Sequence, residues 1–196
     1  MGKILQFPAK KQSKFGFERV NKHRGNNATQ MNLFSSGLGS IRDQSSYPST
    51  FDEALLLDER NDMDAEKLYR RAISEDDHVA DAYCNLGIIE SRAGRTAKAF
   101  DCFTRALEYD ARHFEAHYNL GNLYFEADNL KLAKMHYELA IKIRSDFPNL
   151  YFNLGLVLAV LGERKAAVVA FVKHRLLSPN YDHRLVDSLI RKLNKL

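Results

Sequence analysis

Asn85-Leu86-Gly87, Asn119-Leu120-Gly121 and Asn153-Leu154-Gly155 follow one another at a spacing of 34 residues, and the fold is decided by that repetition. The register holds elsewhere. Ala65, Ala99, Ala133 and Ala167 keep the same spacing, each is followed four positions on by an aromatic residue (Tyr69, Phe103, Tyr137, Phe171), and Ala72, Ala106 and Ala140 complete the set. Residues three to four apart share one helical face, so each unit reads as two amphipathic helices. In the second unit these cover residues 81–91 and 96–108, parted by Ala93-Gly94-Arg95, with Thr96 expected as an N-cap. Matching breaks fall at Asp128-Asn129 and Gly162-Glu163. A glycine inside a helix costs about 1 kcal/mol relative to alanine, so three at one phase point to a packing need: two backbones must approach closely there.

The expected architecture is all-α. It is a right-handed superhelical solenoid of tandem helix-turn-helix units with a C-terminal capping helix and a disordered N-terminal tail. Residues 1–48 are rich in Asn, Gln, Ser, Gly and Lys without helical periodicity, which gives the expectation of disorder. Residues 49–181 divide into four units, about 46–79, 80–113, 114–147 and 148–181. Residues 182–196 place Leu185, Leu189 and Leu193 at helical spacing among basic side chains, as expected of a helix that closes the end of a stack.

The repeating pattern resembles that of the tetratricopeptide repeat family. Tyr83 and Tyr151 take that pattern's opening aromatic place, Tyr124 its later tyrosine, and Pro179 its closing proline. The repeats look bacterial. The first unit departs, with Asp52-Glu53 where Leu-Gly is usual; His174 replaces the last small alanine, and Asp77, Ala111 and Ser145 stand in proline positions. The resemblance implies that the first helices of successive units line a concave groove, with the residue before each Leu-Gly pointing into it. Those residues are Asn85, Asn119 and Asn153. A carboxamide both donates and accepts, so such a ladder can pair with the backbone of an extended peptide. Ile88, Tyr118, Asn122, Phe125, Asn149, Phe152 and Leu156 are expected on the same surface. The alternative for Tyr118 and Phe152 is packing between units. The family's two-carboxylate clamp for acidic chaperone tails needs lysines and an arginine on this surface, but Cys84, Ile88 and Asn149 occupy places where charged or amide clamp residues are expected.

The function expected is a non-enzymatic protein-protein interaction scaffold that binds a partner peptide or helix in the groove. Charge provides a second reading. The net charge of +4 is unevenly spread: residues 1–50 carry eight Lys or Arg against Glu18 and Asp43, whereas residues 51–181 hold 17 basic and 21 acidic side chains. Lys10, Lys11 and Lys14 beside Phe7, Phe15 and Phe17 suit nucleic acid or an anionic membrane, with the repeats recruiting a second protein. The opposite signs also allow the tail to dock on its own groove, with Leu5 and Phe7, or Leu33 and Phe34, as anchors. No cofactor is expected. His113, His117 and His136 lack a completing Asp or Cys for a metal, and no phosphate loop, nucleophile elbow or His-Glu-x-x-His motif occurs. Cys84 and Cys102 read as free thiols, and without a signal-like or membrane-spanning apolar run the expected location is cytoplasmic.

Overall fold

Helix α1 (Thr50–Glu59) begins with reciprocal hydrogen bonds: the Ser49 hydroxyl accepts from the Asp52 amide at 3.2 Å, and the Ser49 amide donates to the Asp52 carboxylate at 3.4 Å. This explains the departure of the first unit. Asp52 serves the capping box, which satisfies two otherwise orphaned amides, rather than a close helix contact. The computed structural model describes residues 16–20 and 48–195. After α1 come α2 (Ala65–Ser74), α3 (Val79–Arg92), α4 (Thr96–Tyr109), α5 (Phe114–Glu126), α6 (Leu130–Ile143), α7 (Pro148–Val160), α8 (Arg164–Leu177) and α9 (Arg184–Asn194). Among the described residues there is no strand.

Each helix packs against its neighbours in sequence, while α3, α5 and α7 also touch in succession. The first helices of units two to four therefore share one side of a helical solenoid. Within each of these units the glycine explains the close pairing. A Cβ at Gly87, Gly121 or Gly155 would lie 2.7, 2.5 or 2.7 Å from the ring of Phe103, Tyr137 or Phe171 respectively, and all three rings are fully buried. The turns between paired helices need one left-handed residue, supplied by Gly94 (φ 75°), Asp128 (φ 57°) and Gly162 (φ 80°).

Two local expectations need correction. Thr96 is the first residue of α4 and not its cap; Arg95 precedes it and makes no side-chain cap bond. In α9 the buried residues are Val186, Leu189 and Leu193, with Leu185 45% exposed. At 100° per residue, 186, 189 and 193 cluster within about 60° of the helix circumference, whereas 185 drifts off that stripe. The helix still covers the end of α8, where Arg175 pairs with Asp187 at 3.1 Å.

Candidate functional site

The first helices of the units present their asparagines at one phase, and among the described residues polypeptide lies against Asn85 and Asn119. Residues 16–20, part of the stretch expected to be disordered, adopt neither helix nor strand but run along α3 and α5. The Asn119 Oδ1 accepts from the Glu18 amide at 2.8 Å, while its Nδ2 donates to the Glu18 carbonyl at 2.8 Å. Asn85 repeats the arrangement on Val20, accepting from the amide at 3.0 Å and donating to the carbonyl at 3.1 Å. Asn122 adds a bond from Nδ2 to the Gly16 carbonyl at 3.4 Å. In extended chain, alternate residues turn their N–H and C=O to the same side, and Glu18 and Val20 are two apart. The segment runs antiparallel to the repeats, from unit three at Gly16 to unit two at Val20.

Tyrosines brace the amides. Asn85 Nδ2 also donates to the Tyr69 hydroxyl at 3.2 Å, and the Tyr137 hydroxyl donates to Asn122 Oδ1 at 2.6 Å. Asn153 sits one unit beyond. Its Nδ2 donates to the Tyr118 hydroxyl at 3.1 Å and to Asn122 Oδ1 at 2.8 Å, which links it to the groove wall; among the described bonds, residues 16–20 meet Asn85, Asn119 and Asn122.

Side chains of the segment find partners too. Phe17 lies over Phe103, ring centroids 6.1 Å apart and 22° between planes. Val20 is buried within the core of the first two units. The Arg19 guanidinium donates to Asp58 Oδ1 at 3.0 Å, and Asp58, itself only 4% exposed, also receives Arg92 at 3.5 Å and the Tyr69 hydroxyl at 3.4 Å. Glu18 is less comfortable. Burial pushes its pKa up from the ordinary value, outweighing Arg144 at 3.9 Å and reinforced by the nearby Glu115 carboxylate. Arg144 itself lies over the Phe114 ring, 3.5 Å from its centroid, and donates to Glu115 at 3.4 Å.

The other residues expected on the groove surface differ in burial. Ile88, Tyr118, Phe152 and Leu156 are buried and belong to core surroundings, while Phe125 and Asn149 are half-buried. Tyr118 packs against Phe114, Tyr137 and Phe147, and Phe152 against Phe171 and His174, each set within its own unit, while the Tyr118 hydroxyl accepts from Asn153 of the next unit. Burial raises the Cys84 thiol well above its ordinary pKa and Cys102 to about 11, leaving both protonated at neutral pH. The histidines serve structure: His113 caps α5 by accepting from the Ala116 amide at 3.1 Å and meets Asp81 at 3.0 Å. Among the described residues, no group of three or more His, Cys, Asp or Glu is placed to hold a metal ion, and no helix is long and apolar enough to cross a membrane. The anchors expected for a docked tail, Leu5, Phe7, Leu33 and Phe34, lie outside the described residues, as do Lys10, Lys11 and Lys14.

The tetratricopeptide repeat family model matches residues 80–113 and 114–147, the two units whose asparagines hold the segment. Units two and three are thus similar to tetratricopeptide repeats. Among curated proteins, tetratricopeptide repeat protein 8 of Mus musculus is 28% identical over 128 residues, 64% of this chain. The chain spans only 24% of that relative's length, and a mouse relative gives the expected bacterial origin no support. The crystal structure of MamA superposes with a TM-score of 0.63 at 23% identity, covering 76% of this chain and 85% of that one. The first tetratricopeptide domain of Spaghetti (RPAP3), solved bound to the HSP90 peptide SRMEEVD, gives 0.55 at 20% identity, covering 59% and 90%. At these identities the structural likeness establishes the helical solenoid fold and nothing finer. Asp58, Tyr69, Arg144 and residues 16–20 were not singled out for the groove by sequence.

Proposed function

We propose that the chain is a non-enzymatic interaction scaffold whose groove grips an extended polypeptide by its backbone, with Asn85 and Asn119 as the gripping residues. The observation that carries this reading is the pair of two-way amide contacts, each satisfying both the N–H and the C=O of one residue. Main-chain pairing gives affinity without dependence on side-chain identity, the logic of strand addition at a sheet edge carried out here by side chains. Tetratricopeptide repeats as a class mediate protein-protein contact, and the Spaghetti domain with its HSP90 peptide supports a peptide as the kind of partner. Its acidic tail does not suit this groove, because Cys84 and Ile88 are buried and uncharged where a clamp needs cations.

The test uses the full chain with its own segment weakened by Arg19→Ser and Val20→Ser. A labelled peptide of residues 13–22 should bind this variant, and Asn85→Ala with Asn119→Ala should remove most of that binding while leaving helicity unchanged. Undiminished binding after both asparagine changes would end the proposal.

A further inference from the structure

We infer that the groove selects an extended segment reading aromatic, any residue, arginine, aliphatic, and that Phe17–Glu18–Arg19–Val20 is a built-in copy of that motif which holds the site against outside partners. The inference rests on the peptide-grip reading and adds the side-chain chemistry that reading lacks. Three contacts carry it. Phe103 offers its ring to the aromatic position, the first two units bury the aliphatic one, and Asp58 receives the arginine.

Asp58 is the discriminating element. It stands on α1 among Ala54, Leu55 and Leu57, is nearly inaccessible, and points one carboxylate oxygen at the Arg19 Nη2. A buried carboxylate is stable only when its oxygens are hydrogen-bonded and its charge is met. Arg92, half exposed and at 3.5 Å, meets that need less well than Arg19 at 3.0 Å. A lysine at the same place offers a compact ammonium without the planar fork, and a glutamate would set two carboxylates together.

The pocket is also tied to the ladder. The Tyr69 hydroxyl donates to Asp58 and accepts from Asn85, so arginine reading and the backbone grip on Val20 share one hydrogen-bonded chain. A partner peptide of this pattern meets the same three contacts and must displace the resident segment, whose tether keeps its local concentration high.

The experiment compares peptides of residues 13–22 on the full chain carrying Arg19→Ser and Val20→Ser. The unaltered peptide should bind this chain about tenfold or more tighter than it binds the wild-type chain. Peptides with Arg19→Gln or Arg19→Glu should lose about tenfold or more, as expected for a charge-assisted bond left unmade. Those with Phe17→Ala or Val20→Asp should also weaken. Adding Asp58→Asn to the chain should abolish the preference for Arg over Gln at that position. Equal affinity for the Arg, Gln and Glu peptides overturns the selectivity but leaves the backbone grip standing. No binding of any peptide by the variant chain, with its helicity intact, overturns both. Equal affinity of the wild-type and altered chains for the unaltered peptide overturns the claim that the resident segment guards the site.

Discussion

Asn119 and Glu18, 101 residues apart in sequence, exchange two hydrogen bonds of 2.8 Å each, so that one side-chain amide satisfies both main-chain groups of a single residue. The geometry requires a donor and an acceptor on the same side chain. Asparagine has both, whereas aspartate can only accept and would face the Glu18 carbonyl with a second oxygen. Asn119→Asp should therefore release the segment at a cost of about 1–3 kcal/mol. The readout is tryptic cleavage after Arg19, which needs the undocked chain and should accelerate by about tenfold or more when opening is fast relative to cleavage. An unchanged cleavage rate would mean that the pair contributes nothing.

Glu18 supplies a pH test. Its pKa is raised in the docked state, chiefly by burial, so the docked segment prefers the neutral carboxyl. Below the ordinary value of 4.5 neither free nor docked Glu18 is ionised and no penalty exists; as pH rises the free segment ionises first, and docking weakens until the docked pKa is passed. Arg144 opposes this shift and Glu115 adds to it. Glu18→Gln should dock more tightly than wild type at neutral pH, read as slower exchange of the Val20 amide relative to the unstructured rate at each pH, with the difference shrinking below pH 4.5. Weaker docking of the Gln variant at pH 7 would show that the Arg144 attraction dominates.

The helix pair under the groove depends on Gly121. Alanine gains about 1 kcal/mol in helix propensity. Its Cβ, however, would stand 2.5 Å from a Tyr137 ring that is fully buried and hydrogen-bonded to Asn122. Overpacking of this kind costs about 1–3 kcal/mol, so Gly121→Ala should lower Tm and Gly121→Leu should lower it further. A melting temperature equal to wild type for both would contradict the close approach.

Acid should weaken the solenoid through a histidine pair. His117 donates from Nε2 to the Ala111 carbonyl at 3.2 Å, which assigns its Nδ1 as the acceptor of a proton on His136 Nδ1, 3.1 Å away. Burial first, and His117 second, hold His136 down to about 4. The unfolded chain takes up that proton near 6.5 and the folded chain only near 4, so stability falls as pH drops through this window and then levels. His136→Phe should flatten the decline of Tm between pH 6.5 and 4, and an unaltered slope would exclude the pair as its source.

The sequence makes the solenoid legible because packing imposes a local period: Gly87, Gly121 and Gly155 each need the aromatic residue 16 positions later, and both partners recur together. The same phase places Asn85 and Asn119 on one face. What occupies that face is another matter. Glu18, Arg19 and Val20 meet partners 101, 39 and 65 residues away, and such a segment carries no periodic signal because its order comes wholly from the surface it lies on. Asp58 escapes for a related reason, since it belongs to the unit that departs from the repeat. Tyr118 and Phe152 were open to either role, and both are buried against rings of their own units, Phe147 and Phe171, contacts that a one-dimensional phase does not reveal.

The central claim is that the asparagine ladder holds polypeptide backbone in the groove, and amide hydrogen exchange of the full-length chain tests it most directly. The Glu18 and Val20 amides should exchange well below the rate of an unstructured peptide, Asn119→Ala should deprotect Glu18, and Asn85→Ala should deprotect Val20. Exchange of both amides at the unstructured rate in the wild-type chain would contradict it.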